Sequence, residues 1–141
     1  MSALVIKAHV SNGVKIAEEH GLPEIIIDFI RTHHGDSLIK YFWEKAKEQA
    51  DTSKKEIREE DFRYDGPLPQ TKETGILLLA DCIEASSRAM KDPNYQKLEN
   101  LIDRMIDERV NEGQLSKTPL TFQDIRTIKE TFLNILVGIY H

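Results

Sequence analysis

Apolar residues at helical spacing, in segments closed by glycine or proline, run through this chain from one end to the other. A recurrence of three and four residues puts side chains on one face of an α-helix, whereas a half-buried strand needs strict alternation. No stretch of useful length alternates, no repeat of roughly 20–50 residues is visible, and nothing is low-complexity. The expected fold class is all-α, a single domain over residues 1–141.

The punctuation sets the segments. Leu4, Val5, Ala8, Val14 and Ala17 mark a first helix between Met1 and His20, closed by Gly21. Pro23 suits the first turn of a second helix, rich in isoleucine, running to His34 and ended by Gly35. Asp36 or Ser37 can cap a third, from Leu38 to about Ala50, with Phe42 and Ala46 inward. The polar stretch Asp51 to Glu60 leads into a loop, Asp61 to Gln70, that holds Gly66, Pro67 and Pro69. Thr71 to Met90 is the most apolar helix. Asp92 and Pro93 read as the start of the next, ended by Gly113, with Leu98, Leu101, Ile102, Met105 and Val110 inward. The last begins at Thr121 with Asp124 as its capping-box partner, and its stripe is Ile125, Ile128, Phe132, Ile135, Leu136 and Ile139.

Charge narrows the function classes. Nineteen Lys and Arg against 24 Asp and Glu leave a net charge of −5. An acidic chain lacks the clustered positive charge that DNA or RNA binding needs, but a nucleotide held through metal ions remains open. The single cysteine, Cys82, excludes an internal disulfide framework and thiolate-rich zinc clusters, and reads as a small core residue. No apolar run approaches the ~20 residues of a membrane span, so no membrane contact is expected from this segment.

Four residues stand out chemically. His33 and His34 end an apolar helix, where adjacent side chains diverge by about 100°. They can serve one metal only off the helix end, where Gly35 lets the chain turn; otherwise one is a core histidine and its neighbour faces solvent. His9 sits between Ala8 and Val10 and reads as a hydrogen-bonded core histidine or a ligand. Asp81 interrupts a run of leucines, and a carboxylate there must face solvent, pair with a cation such as Arg88, cap the backbone or bind a metal. Imidazoles and a carboxylate from separate helices suit a divalent ion such as Fe, Mn, Zn or Co. Tyr64, Tyr41, Phe42 and Trp43 could stack on a base or simply pack. Nucleophile-elbow, phosphate-loop, dinucleotide and HExxH motifs are all missing from the sequence.

These residues carry a resemblance. Residues 8–10 (AHV) with Gly13, 27–37 (IDFIRTHHGDS), 60–73 (EDFRYDGPLPQTKE), 79–81 (LAD), 84–88 (EASSR) and 113–115 (GQL) resemble the HD phosphohydrolase superfamily. More closely they resemble the cytosolic HD domain of bacterial seven-transmembrane HD proteins, over essentially the whole chain. The resemblance implies a phosphodiesterase that hydrolyses cyclic di-AMP to pApA with two metal ions, often iron or manganese, at the cytoplasmic face of the membrane. It implies His9, His33, His34 and Asp81 as metal ligands, and Lys72 and Arg88 as contacts to phosphate or to the ligands. The His-Asp pair that names the superfamily occurs nowhere in these 141 residues. The chain is therefore expected to be the C-terminal part of such a domain, lacking its first helices, holding at most one ion weakly, inactive alone and self-associating. The alternative is a non-catalytic helical module that binds a nucleotide or a regulatory partner.

Overall fold

A computed structural model describes residues 2–53 and 55–141 of the chain. Among the described residues there are six α-helices and one short 3-10 turn, and the fold is all-α. The chain gathers into two compact units, Met1–Pro67 and Leu68–His141.

The first unit is built on a helical hairpin. α1 (Ala3–Glu19) starts at Ser2, whose hydroxyl accepts from the Val5 amide, and α2 (Glu24–Thr32) follows Pro23. Gly21, at φ 66°, makes the turn between them, a left-handed conformation that side chains with a Cβ resist. Ala3, Ala17 and Ile27 are buried, and α1 and α2 approach closely at Gly13. A Cβ built on Gly13 would lie 3.0 Å from Ile30 Cγ2. α2 stops two residues before the expected His34. Gly35, at φ 52°, turns the chain, and the Ser37 hydroxyl donates to the His34 carbonyl at 2.8 Å. α3 (Lys40–Ser53) begins two residues later than expected because Leu38 forms an antiparallel bridge with Arg63. Ile39 N–H to Phe62 carbonyl, Tyr64 N–H to Ser37 carbonyl and Gly66 N–H to Gly35 carbonyl complete a miniature ribbon between residues 35–39 and 62–66.

The second unit is three helices around one core. α4 (Lys72–Arg88) contributes Leu78, Leu79 and Ile83, α5 (Tyr95–Asn111) contributes Leu98, Leu101, Ile102, Met105 and Ile106, and α6 (Phe122–Ile139) contributes Ile128, Leu133 and Leu136. Reciprocal capping boxes open α4, at Thr71 and Thr74, and α6, at Thr121 and Asp124. Asn94 caps α5, not Asp92: Asp92 lies at φ 50° in the preceding turn, and the Asn94 side chain accepts from Lys97 N–H. Val110, Ile135 and Ile139, expected inward, are exposed at 50%, 54% and 63%. They lie at the margins of stripes whose centres already fill the core. α4 also makes a close approach: a Cβ on Gly75 would fall 2.5 Å from Thr118 Cγ2, while the Thr118 hydroxyl donates to the Pro69 carbonyl at 2.8 Å.

Candidate metal centre

The helical hairpin converts distant sequence positions into neighbours. His9 lies one turn before Gly13 on α1, and His33 one turn after Ile30 at the end of α2. Antiparallel packing with its close point at Gly13 and Ile30 therefore carries the two histidines together. His33 is the C-cap of α2 and His34 sits in the turn that follows, where the two rings converge with their centroids 4.0 Å apart. Potential ligand atoms of His9, His33 and His34 all lie within 4.8 Å of one another.

Backbone carbonyls set the protonation of two rings. His9 Nδ1 donates to the Ile6 carbonyl, and His33 Nδ1 donates to the Ile30 carbonyl at 2.6 Å. A carbonyl only accepts, so in the neutral rings both Nδ1 atoms carry the proton and both Nε2 atoms present lone pairs. Those two Nε2 atoms are 3.3 Å apart. Facing lone pairs repel unless a cation lies between them. Two nitrogens about 2.1 Å from one tetrahedral ion stand about 3.4 Å apart, so the observed spacing fits a shared divalent ion. His34 adds a third imidazole, its ring centroid 4.0 Å from that of His33 and 5.0 Å from that of His9. Burial above all, then the neighbouring His33 and His9, pushes the His34 imidazole down to about 3. It stays neutral at physiological pH, as a ligand must.

Tyr64 completes the surroundings. Its ring stacks on His34 with centroids 4.3 Å apart and planes 13° from parallel, and meets His9 edge-on at 6.0 Å. The sequence offers Tyr64 as one of several aromatics able to stack on a base; that it stacks on a histidine emerges only from the ribbon pairing. Trp43 packs on Phe62 and Tyr41 on Phe42.

The other predicted site residues belong to the second unit. Asp81 is exposed on α4, which is how the leucine-rich helix tolerates its carboxylate. Lys72 pairs with Asp124 at 2.9 Å and Arg88 with Glu84 at 2.8 Å. Both pairs lie at the surface, where solvent and salt screen them. Cys82 is partly buried, and burial pushes its thiol up to about 11, which makes it inert.

No family model matches the chain. Over 141 residues it is 39% identical to the cyclic-di-AMP phosphodiesterase PgpH of Bacillus subtilis (strain 168), covering all of this chain and 19% of that protein. Over 137 residues it is 39% identical to the protein of the same name from Listeria monocytogenes (strain 10403S), covering 97% of this chain and 18% of the relative. The crystal structure of the L. monocytogenes PgpH HD domain superimposes with a TM-score of 0.90 at 39% identity, over 99% of this chain and 63% of that one. The chain is a homologue of the PgpH HD domain. The same HD domain in complex with cyclic di-AMP matches with a TM-score of 0.91 at 38% identity, over 98% of this chain and 63% of that one. The chain thus spans about a fifth of the length of the whole PgpH relatives. All six helices fall within the part of the HD-domain fold that the two share.

Proposed function

We propose that this chain forms part of the catalytic domain of a metal-dependent phosphodiesterase that hydrolyses cyclic di-AMP to pApA. The observation that carries the reading is the pair of Nε2 lone pairs of His9 and His33 facing each other at 3.3 Å, with neutral His34 beside them. The solved relative that binds cyclic di-AMP supports the substrate class.

His9, His33 and His34 would hold one divalent ion and Asp81 would serve a second, with iron or manganese expected. Bound there, such an ion neutralises charge on the scissile phosphate and lowers the pKa of a bound water. The carbonyls of Ile6 and Ile30 keep the His9 and His33 rings in the tautomer that leaves Nε2 free to coordinate. Lys72 and Arg88 would exchange their carboxylate partners for phosphate oxygens. The chain would act on the cytoplasmic side of a larger membrane protein; among the described residues no helix is long and apolar enough to cross a membrane. Leu4, Val5, Ile16 and Ile25 are exposed on the first unit, which favours self-association of the chain in isolation.

Alone, the chain lacks the His-Asp pair and is inactive on this reading. The test is therefore a chimera in which this chain replaces the matching segment of the L. monocytogenes PgpH HD domain. Chromatography should show manganese-dependent conversion of cyclic di-AMP to pApA, abolished by His34→Ala. A folded chimera that binds cyclic di-AMP without turning it over would favour the non-catalytic module instead.

A further inference from the structure

We propose that Tyr64 is a positioning residue that clamps the His34 imidazole toward His9 and His33. The inference rests on the metal reading of the three histidines and adds a residue to it. His34 lies beyond the end of α2, in a turn between Thr32 and Gly35. The Tyr64 ring lies almost parallel to it at 4.3 Å, the offset arrangement that flat π systems prefer. Tyr64 is itself held firmly. Its amide donates to the Ser37 carbonyl at 3.0 Å, and the Gly66 amide donates to the Gly35 carbonyl at 3.0 Å. The ribbon therefore ties the backbone just after His34, at Gly35, Ser37 and Ile39, to the backbone on both sides of the tyrosine. The other aromatic of the same ribbon, Phe62, faces Trp43 instead, so the contact with His34 is particular to position 64.

The test compares Tyr64→Leu, Tyr64→Phe and Phe62→Leu in the whole chain by two readouts. Titration with Mn²⁺ or Zn²⁺ measures ion affinity, and NMR of the metal-free protein reads the His34 ring protons, which a stacked tyrosine shifts upfield. Tyr64→Leu should bind the ion about tenfold more weakly, as residues that orient a ligand typically do. It should also lose the upfield shift and show averaging over several ring orientations. Tyr64→Phe keeps the flat ring and should behave as the parent in both readouts, as should Phe62→Leu. Should Tyr64→Leu fail to fold by circular dichroism, Tyr64→Met makes the same comparison. Unchanged affinity and an ordered His34 in the truncated variant would overturn the clamp. So would an equal loss in Phe62→Leu, which would trace the effect to the ribbon as a whole. If the parent itself binds no ion, the metal reading fails, and the NMR comparison by itself decides the clamp.

Discussion

Gly13 of α1 sits directly against Ile30 of α2, with only 3.0 Å between Ile30 Cγ2 and the place where a Cβ would stand on Gly13. Because His9 is one turn from the glycine and His33 one turn from the isoleucine, this contact sets how far apart the two imidazoles lie. Gly13→Ala gains about 1 kcal/mol of helix propensity and loses a comparable amount to the tight contact, so its stability should stay near that of the parent. Gly13→Val adds two methyl groups against Ile30 and should cost about 1–3 kcal/mol. Urea denaturation measures both. A Gly13→Val variant as stable as the parent would show that the helices can part freely there.

Metal content is the direct check on the histidine cluster. Protein purified without a histidine tag, incubated with Mn²⁺, Fe²⁺ or Zn²⁺ and desalted, should retain one ion weakly, because three imidazoles leave open positions for water. His9→Ala and His33→Ala should each reduce retention at least tenfold. Elemental analysis finding under about a tenth of an equivalent in the parent would count against a preformed site.

Acid should destabilise the metal-free protein through His34. In the unfolded chain this ring titrates near 6.5, while in the folded protein burial and the adjacent histidines hold it down to about 3. Between those values the unfolded state binds the extra proton, so stability is full above pH 6.5 and declines as pH falls toward 3. Water reaches part of the ring, so the slope should lie well under the ~1.4 kcal/mol per pH unit of a fully shielded group. Urea midpoints at pH 7, 5.5 and 4.5 for the parent and His34→Gln check this. Equal pH dependence in the two would remove His34 as the cause.

The second unit has its own sensitive contact. A methyl on Gly75 would meet Thr118 Cγ2 at 2.5 Å, and Thr118 cannot retreat without stretching its hydrogen bond to the Pro69 carbonyl. Gly75→Ala should therefore destabilise the protein by about 1–3 kcal/mol despite alanine's better helix propensity. Thermal unfolding measures the change, and a higher midpoint would mean that the segment carrying Thr118 yields.

The helices, their glycine and proline stops and the capping box at Thr121 could be read from the sequence, because each depends on residues within a turn or two. His9, His33, His34 and Asp81 could be picked out because imidazoles and a carboxylate among apolar helical residues demand an explanation. The start of α5 at Asn94 was not visible, since Asp92 and Asn94 both suit a cap and only the backbone path, with Asp92 at φ 50°, chooses between them. Neither were the exposed positions Val110, Ile135 and Ile139, because helical spacing defines a stripe but not its width, which the packing partner sets. What tertiary structure alone decided is the meeting of the histidines. α2 ends at Thr32 because the 35–39 segment pairs with residues 62–66, a contact between residues some 27 apart whose geometry no local pattern encodes. That pairing lays Tyr64 upon His34, while the packing of α1 on α2 leaves the Nε2 atoms of His9 and His33 face to face.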